Sequence, residues 1–268
     1  MAGAGDLDRW ADAQAAASRA ALAAAVSAEG FRHERPEFGQ TVFAAPGSVL
    51  ASRVRARWDP APDYAWHWVR DAAVVMRLAP ALAQTDPGAW RRRMADHVTF
   101  SLHIATRPGP DANPLRRATA AGFDRFLRPD AELAALRGDR LLAEPRANID
   151  GSPDFERWSR PQHDGPALRA LCCLGWGDAA PPGTAALLTL DLDYTLRHAA
   201  QPCIGPWEED GEHDLHAFTL LAQRAALAAG AARGGLGAAA CAAARGQIEA
   251  ALDTLWSPAE GCLRGRAG

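Results

Sequence analysis

The stretch "HDGPALRALCCL", residues 163–174, is the clearest helix start in this chain. Asp164 is a suitable N-cap residue, and Pro166 fits the first turn, where a backbone N–H has no intrahelical partner. The apolar residues that follow predict a helix with a buried side. Helical periodicity also dominates the chain on both sides of this stretch.

The same periodicity predicts six further helices. Pro80 ends or kinks the second of these, and Asp86 caps the third. Short linkers separate the helices after residue 163, as is typical of antiparallel helical hairpins. Because strand patterns are almost absent, the predicted fold class is all-α. The six predicted ranges are 8–28, 70–79, 87–106, 183–199, 212–229 and 236–256.

Two segments lack a helical period. Residues 38–58 contain the short alternating runs "TVFA" and "VLASRVRARW", which predict a hairpin or an extended loop. Residues 107–162 are rich in Pro, Gly, Asp and Arg, with one weak helix predicted over residues 130–137. Since long loops inside a compact domain usually carry function, this second segment is a candidate for the functional site.

Composition excludes several classes of partner. The chain has 268 residues and a net charge of -3, so it offers no electrostatic case for binding nucleic acid. The N-terminus lacks the pattern of a signal peptide, and no apolar run reaches the roughly 18 residues of a membrane span. We therefore expect a cytoplasmic protein with no membrane partner and a substrate that is not strongly anionic.

Cysteine and histidine spacing gives no reason to expect a metal or a cofactor. No two cysteines have the spacing of zinc ligands, and we expect all five to be buried small side chains in a reducing cytoplasm. His213 and His216 can share a helix face, but no motif supplies a third ligand. The cysteines are Cys172, Cys173, Cys203, Cys241 and Cys262.

The first stretch whose residue types suit a functional site is "YAWHWVRDAAVVM", residues 64–76. Asp71 at a helix start is explained by capping, since a carboxylate there is stabilised by unpaired N–H groups and the helix dipole. Capping does not explain the three aromatic rings just upstream, Tyr64, Trp66 and Trp68. Aromatic rings beside a guanidinium and a carboxylate form a good sugar subsite, because rings pack on C–H faces and charged groups bind hydroxyls. Both interpretations stay open for Arg70 and Asp71.

The second stretch is "EPRANIDGSPDFERWSRPQHDGPALRA", residues 144–170. It places Trp158, Arg160, Gln162 and Asp164 in a loop that leads into the helix described first. A Pro-rich turn followed by a cap explains Asp164, but it does not explain Trp158 and Arg160.

The third stretch is "GPWEEDGEHD", residues 205–214. An acidic first turn of the helix predicted over residues 212–229 explains Glu212 and Asp214. It leaves Trp207, Glu208 and Glu209 without a structural reason just ahead of that helix.

Taken in this order, the three stretches resemble the glucoamylase family, glycoside hydrolase family fifteen. The resemblance rests on "WVRD" (68–71), "EPRANID" (144–150), "WSRPQHDGPALRA" (158–170) and "WEE" (207–209), and it spans roughly residues 27–268. It implies an (α/α)6 barrel of twelve helices with the site at one end. Seven predicted helices then correspond to an N-terminal portion, so residues 1–268 are expected to form part of one catalytic domain.

The resemblance implies inverting hydrolysis of terminal α-glucosidic bonds in an α-glucan or gluco-oligosaccharide, with release of glucose. Such chemistry uses an acid and a base, with the two carboxyl groups roughly 6.5–9.5 Å apart. Glu208, buried beside Trp207, is the implied acid, and Glu209 is implied to bind substrate hydroxyls. Further implied roles are a clamp on the terminal glucose (Arg70, Asp71), a subsite lining (Tyr64, Trp68) and a wall around the scissile bond (Trp158, Arg160).

Two departures from the family pattern affect this expectation. Gly205 stands where the family often has an acid, three residues before the catalytic glutamate. No base is assigned, because Glu249, Asp253 and Glu260 lack aromatic or arginine neighbours in sequence. Three alternatives stay open: a carbohydrate-binding remnant without catalysis, a trehalose- or dextran-type hydrolase of the same family, and a helical scaffold. An open part-barrel is also expected to expose apolar faces of inner helices, which predicts poor stability or association.

Overall fold

The computed structural model describes residues 4–53, 63–208, 211–234 and 237–267. Within these ranges helices predominate, which confirms the predicted all-α class. The helices are α1 (Ala4–Ala25), α2 (Val69–Arg77), α3 (Ala79–Leu82), α4 (Pro87–Thr106), α5 (Asp130–Ala134), α6 (Asp139–Leu142), α7 (Asp164–Gly175), α8 (Thr184–Arg197), α9 (Ala217–Ala232) and α10 (Ala238–Leu255). Short strands of two to four residues pair in sequence order into two-stranded antiparallel sheets: β1 (Arg32–Arg35), β2 (Gln40–Phe43), β3 (Trp66–Trp68), β4 (Arg146–Asn148), β5 (Trp256–Ser257) and β6 (Cys262–Leu263).

Helix α7, the helix of the opening stretch, lies at the centre and packs against α2, α8 and α9. Cys172 and Cys173 of α7 join a core with Met76 of α2 and Leu187 of α8. A charged pair also lies in this interior, because Arg169 donates to both carboxylate oxygens of Asp191 on α8 at 2.8 and 2.7 Å. Both side chains are almost fully buried. Breaking a buried pair by removing one partner costs about 3–5 kcal/mol, so this contact fixes α7 against α8.

A glycine brings the N-termini of α2 and α7 side by side. A Cβ atom at Gly165 would lie 3.2 Å from Cγ1 of Val69, closer than side chains normally approach. Val69 begins α2, and Gly165 is the second residue of α7. The residues at the two helix starts, Arg70 and Asp164, are therefore neighbours, with an Arg70 Nη1 to Asp164 Oδ2 distance of 3.6 Å.

Strand β3 divides its side chains between the core and the opposite face. It pairs antiparallel with β4, so that Trp68 lies opposite Arg146 and Trp66 opposite Asn148. Because successive strand residues point to opposite faces, Trp66 and Trp68 share one face with Arg146. His67 points the other way, where its ring centroid lies 4.8 Å from that of Phe100.

The loop that carries Glu208 is closed at its base by backbone pairing. Cys203 and Asp214 exchange two N–H···O bonds of 2.9 Å, and Ile204 donates to the carbonyl of Pro161 at 3.0 Å. Gly205 adopts a left-handed φ of 75°, and a Cβ there would lie 2.4 Å from the His216 ring. This gives a physical reason for the departure from the family pattern, because an acid at residue 205 would collide with His216.

Several predicted boundaries match the structure. Asp86 caps α4 by accepting from the backbone N–H of Ala89 at 3.1 Å. The chain bends between α2 and α3, ahead of Pro80, as predicted. Of the two runs in the segment predicted as a hairpin or extended loop, only "TVFA" lies in a strand, β2, and its partner β1 precedes the predicted segment. Residues 54–58 of that predicted segment lie outside the described residues.

Other boundaries are wrong. Helix α9 begins at Ala217, five residues after the predicted start. Glu212 and Asp214 therefore do not form its first turn, because Asp214 is held in the backbone pair with Cys203. Asp164 is the first residue of α7 rather than its cap, and its side chain makes no cap hydrogen bond within the described part of the chain. The weak helix predicted over 130–137 ends sooner, and α6 follows it.

Surface features also bear on the predictions. Large apolar side chains are exposed on α2 and α9, namely Val74, Phe218 and Leu221. Association through this face stays a prediction.

Cys262 is exposed, so its predicted burial is wrong, whereas the other four cysteines are buried. Within the described ranges, every helix is too short or too polar to cross a lipid bilayer.

We predict that Gly205→Asp destabilises the loop around Glu208. The new side chain must occupy both a left-handed φ and the space of the His216 ring, and such strain costs about 1–3 kcal/mol. Urea unfolding measures the loss. The matched control is Gly122→Asp, since Gly122 has a φ of 87° but no described atom within 4 Å of a Cβ atom placed there. Equal losses in both variants would show that the His216 contact contributes nothing.

We also predict acid lability from buried neutral histidines. Burial lowers the pKa of His97 to about 4, below the unfolded value of about 6.5. The contribution of neutral His97 to the free energy of unfolding is therefore fully present above pH 6.5 and is lost as the pH falls towards 4. For one such histidine the loss between pH 7.5 and pH 5 is about 2 kcal/mol.

The measurement is urea unfolding at both pH values. His97→Asn, which keeps a donor for the Gly47 carbonyl bound by His97 Nδ1 at 3.0 Å, should reduce the pH dependence. His213→Asn, at an exposed position, is the control and should leave it unchanged. A pH dependence that is the same in wild type and His97→Asn contradicts the prediction.

Candidate active site

Residues from all three predicted stretches line one open cavity of about 570 Å³. The predicted lining residues are Tyr64, Trp68, Arg70, Asp71, Trp158, Trp207 and Glu208. The cavity wall also contains Trp66, one of the three rings upstream of Asp71, and three residues that were not predicted, Asp63, Arg146 and Glu156. Glu209 lies outside the described residues.

The Glu208 carboxylate is the point where the three stretches meet. Its Oε1 accepts from Trp68 Nε1 at 2.7 Å and from Gln162 Nε2 at 2.9 Å. Its Oε2 accepts from Trp158 Nε1 at 2.6 Å. The side chain is 12% exposed, so these neutral donors replace most of the water around a carboxylate. The carboxyl group is thus held in one orientation by chain segments 46 to 140 residues away in sequence.

Arg70 lies among three carboxyl groups. Its guanidinium nitrogens lie 3.5 Å from Asp71 Oδ2, 3.6 Å from Asp164 Oδ2 and 3.5 Å from Glu208 Oε1. Its Nη1 also donates to Gln162 Oε1 at 2.8 Å. Burial raises the pKa of Asp71 and of Asp164, and in both cases the charge of Arg70 opposes the shift. One cation therefore balances a cluster of acids at the starts of α2 and α7.

Two predicted positions differ from expectation. Trp207 is 78% exposed at the tip of its turn, so Glu208 is covered by the indoles of Trp68 and Trp158 instead. Arg160 does not line the cavity. It donates to Glu144 at 3.0 Å and to Asp154 at 2.8 Å, which places it behind Trp158.

Arg160 nevertheless holds the wall of the site. Its Nη1 donates to the Trp158 carbonyl at 2.9 Å, and Arg128 makes a forked pair with Glu144 at 2.8 Å. Although burial opposes it, Arg146 and Arg160 lower the pKa of Asp154, so that group is ionised. The long loop is therefore fixed by ion pairs rather than by regular secondary structure.

The carboxyl residues near the C-terminus are remote from the cavity. Glu249 pairs with Arg224 at 3.1 Å on the exposed surface between α9 and α10. Asp253 and Glu260 are also exposed. None of these three residues contributes to the cavity wall as far as the structure describes it. The absence of a base among these three residues stays a prediction.

Comparisons with known proteins agree with the motifs. The profile of "Glycosyl hydrolases family 15" matches residues 131–262. A "Probable glucoamylase" of Schizosaccharomyces pombe is 28% identical over 238 residues, covering 83% of this chain and 46% of that protein. A "Glucoamylase" of Blastobotrys adeninivorans is 28% identical over 206 residues, covering 70% of this chain and 28% of that protein. The chain thus spans less than half the length of these relatives.

Solved structures agree with the fold. The family 15 glucoamylase from Hypocrea jecorina superposes with a TM-score of 0.62 at 24% identity, covering 83% of this chain and 35% of that one. The glucoamylase from Hormoconis resinae gives a TM-score of 0.59 at 21% identity, covering 90% of this chain and 38% of that one. The helices described above therefore belong to an (α/α)6 barrel architecture. Together with the ordered motifs around Glu208, the profile and sequence matches show that the chain is similar to the glucoamylase family, glycosyl hydrolases family 15.

Proposed function

We propose that this chain forms the acid side of a glucoamylase-type site, which hydrolyses terminal α-glucosidic bonds with inversion and releases glucose. The observation that carries the proposal is the convergence of Trp68, Trp158 and Gln162 on the carboxylate of Glu208. A helical scaffold has no need to aim three donors from distant segments at one carboxylate in an open cavity. The relatives named glucoamylase support the same reaction class.

The terminal glucose is placed between a polar clamp and an aromatic wall. Arg70 and Asp71 offer a donor and an acceptor for adjacent hydroxyls, as planar guanidinium and carboxylate groups do in sugar sites. Tyr64 and Trp68, with ring centroids 6.0 Å apart, offer apolar faces for the C–H side of the ring. Glu209, in our proposal, binds further hydroxyls of the substrate.

Glu208 is the proposed general acid, and its two oxygens have different roles. Oε1 lies close to donors of Trp68, Gln162 and Arg70, which hold it in place. Oε2 has the single indole donor of Trp158. The proton to be transferred therefore belongs on Oε2, which faces the leaving oxygen once the sugar displaces the indole contact.

Sugar binding without hydrolysis is the second candidate. The other carboxyl groups of the cavity wall each lie close to an arginine: Asp63 to Arg35 at 2.6 Å, and Asp71 to Arg70 at 3.5 Å. Glu156 lies 3.7 Å from Arg35. Although burial opposes it, His33 and Arg35 hold the pKa of Asp63 below its usual range, so Asp63 is a weak base for activating water. Burial raises the pKa of Asp71 and of Glu156, but no motif assigns either residue as the base. The absence of an assigned base among these residues favours a chain that binds the sugar while catalysis needs a base from elsewhere.

The test is glucose release from maltose, isomaltose and trehalose by the purified chain. We predict release from at least one of these, and a loss of at least about 100-fold in Glu208→Gln, because general acid catalysis contributes about 10²–10⁴-fold. Maltose binding, followed by tryptophan fluorescence, should survive that substitution. The substrate that is cleaved identifies the linkage.

Two other outcomes separate the candidates. Binding of maltose without any release of glucose would establish the binding candidate and exclude hydrolysis by this chain. Release that is unchanged in Glu208→Gln would exclude Glu208 as the acid.

The four buried thiols support a further part of the proposal, that the protein works in a reducing compartment such as the cytoplasm.

A further inference from the structure

Helix α1 packs on the rest of the protein only near its C-terminal end. Leu22 and Ala23 contact the core that α2 and α4 share, and the Ala25 carbonyl accepts from the backbone N–H of Leu50 at 3.0 Å. Residues 5–21, in contrast, are all exposed. At 1.5 Å per residue they form a helical arm roughly 25 Å long. We call residues 5–21 the arm.

The arm has an apolar stripe with acidic edges. Leu7 and Trp10 are 64% and 63% exposed, and their spacing of three residues places them on one side of α1. Ala11 continues this side, whereas Asp6 and Asp8 lie at its two edges. Helices in proteins gain most of their stability by packing an apolar face on other elements. The stripe is therefore a surface that a partner can cover.

A second apolar surface lies where α2 and α9 meet. Val74 of α2 is 56% exposed and Phe218 of α9 is 44% exposed, and both line an open depression of about 270 Å³. An apolar cavity of about 150 Å³ is already large enough to bind benzene. The depression therefore has room for an aromatic side chain of another molecule.

Arginines border this second surface. Leu78 at the end of α2 and Leu221 of α9 extend its apolar part. Arg77 and Arg224 are exposed beside them, and the pair of Arg224 with Glu249 is itself exposed to solvent. An apolar surface with basic edges thus complements an apolar stripe with acidic edges. We call Val74, Leu78, Phe218 and Leu221 the receiving face.

One chain carries both surfaces, but its own arm does not lie on its own receiving face, since both remain exposed. A second copy of the chain supplies the missing half of each contact. About a two-fold axis, the arm of each copy can lie on the receiving face of the other, and the assembly then closes at two copies. An unrelated partner would cover only one of the two surfaces.

We propose that two copies of this chain form a dimer by exchanging their arms. Trp10 of each copy occupies the depression between Val74 and Phe218 of the other copy, and the acidic edges of the stripe meet the arginines beside the receiving face. The depression is also lined by Arg70 and Asp71, which line the candidate active site. Each arm therefore covers one side of the other copy's site.

The experiment is sedimentation velocity on the full chain. A series from about 1 to 100 µM covers the weak end of the affinities that protein interfaces reach. Wild type should sediment with twice the mass of one chain in the upper part of this series. Trp10→Ala on the arm and Phe218→Ala on the receiving face should each raise the dimer Kd by at least about 30-fold, as loss of a central aromatic residue does.

The matched control is Phe43→Ala, because Phe43 is an aromatic residue of β2 that is 58% exposed and belongs to neither surface. Its dimer Kd should equal that of wild type. High salt should weaken the wild-type dimer, since the charges at the edges of the two surfaces are exposed.

A mixture of the two variants tests the exchange of arms directly. In a mixed dimer of Trp10→Ala and Phe218→Ala, one contact keeps both rings and the other lacks both. The mixed dimer should therefore be tighter than the dimer of either variant alone. One variant carries a fluorescent label on the exposed thiol of Cys262, so that its sedimentation can be followed in the mixture.

Three results would overturn the proposal. One is a wild-type chain that stays monomeric over the whole series. Another is dissociation by Trp10→Ala but not by Phe218→Ala, which shows that the arms pair with each other. The third is the reverse pattern, which shows that the receiving faces pair with each other. Circular dichroism identifies a variant that has lost its fold, in which case Leu7→Ala or Leu221→Ala tests the same surface.

Discussion

The fold depends on one buried ion pair. Arg169 of α7 donates two hydrogen bonds to Asp191 of α8 in an interior from which water is excluded. A buried guanidinium without its carboxylate partner would be strongly destabilising. The pair therefore fixes the rotation of α7 about its axis and its position along that axis relative to α8. The rest of α7 packs on α2 and α9. The helix that the pair fixes is therefore the one whose first residue, Asp164, lies against Arg70 of the cavity wall.

The contact between Asp164 and Arg70 leads to the other residues of the site. Gly165 allows α7 to approach Val69 closely, which brings Arg70 next to Asp164 and Gln162. Gln162 then bridges Arg70 and Glu208 through the two ends of its side-chain amide. An amide is suited to this place because it accepts from a cation and donates to a carboxylate at the same time. A charged side chain at position 162 would repel one of its two neighbours.

The sequence allowed more of the fold to be predicted than of the site. Helices α4, α8 and α10 follow from periodicity and from turn residues, which act locally. The start of α9 was misplaced because Asp214 is held by a backbone pair with Cys203, and such a pair leaves no local pattern. Arg160 was misplaced for a similar reason, since acids distant from it in the loop decide where its side chain lies.

Glu156 and Arg146 were missed because the motifs assign no role to their positions, although Arg146 lies within "EPRANID". Their place in the cavity wall follows from the rings and the ion pairs of β1, β3 and β4. Trp158, Arg70 and Glu208, by contrast, were predicted because the motifs assign roles to their positions. The motifs thus predicted the residues that meet at Glu208 in the candidate site, whereas the other residues of the cavity wall follow only from the folded structure.

The packing of Arg146 has a consequence for the entropy of binding. Its guanidinium lies 4.0 Å from the centroid of Trp66 and 3.6 Å from that of Trp158, and the guanidinium of Arg35 also packs on Trp66 at 3.9 Å. A free arginine side chain loses about 2 kcal/mol of rotamer freedom when it is fixed. Here that freedom is already lost when the protein folds. A ligand that meets Arg146 finds an immobile donor, so its arrival need not order a long side chain.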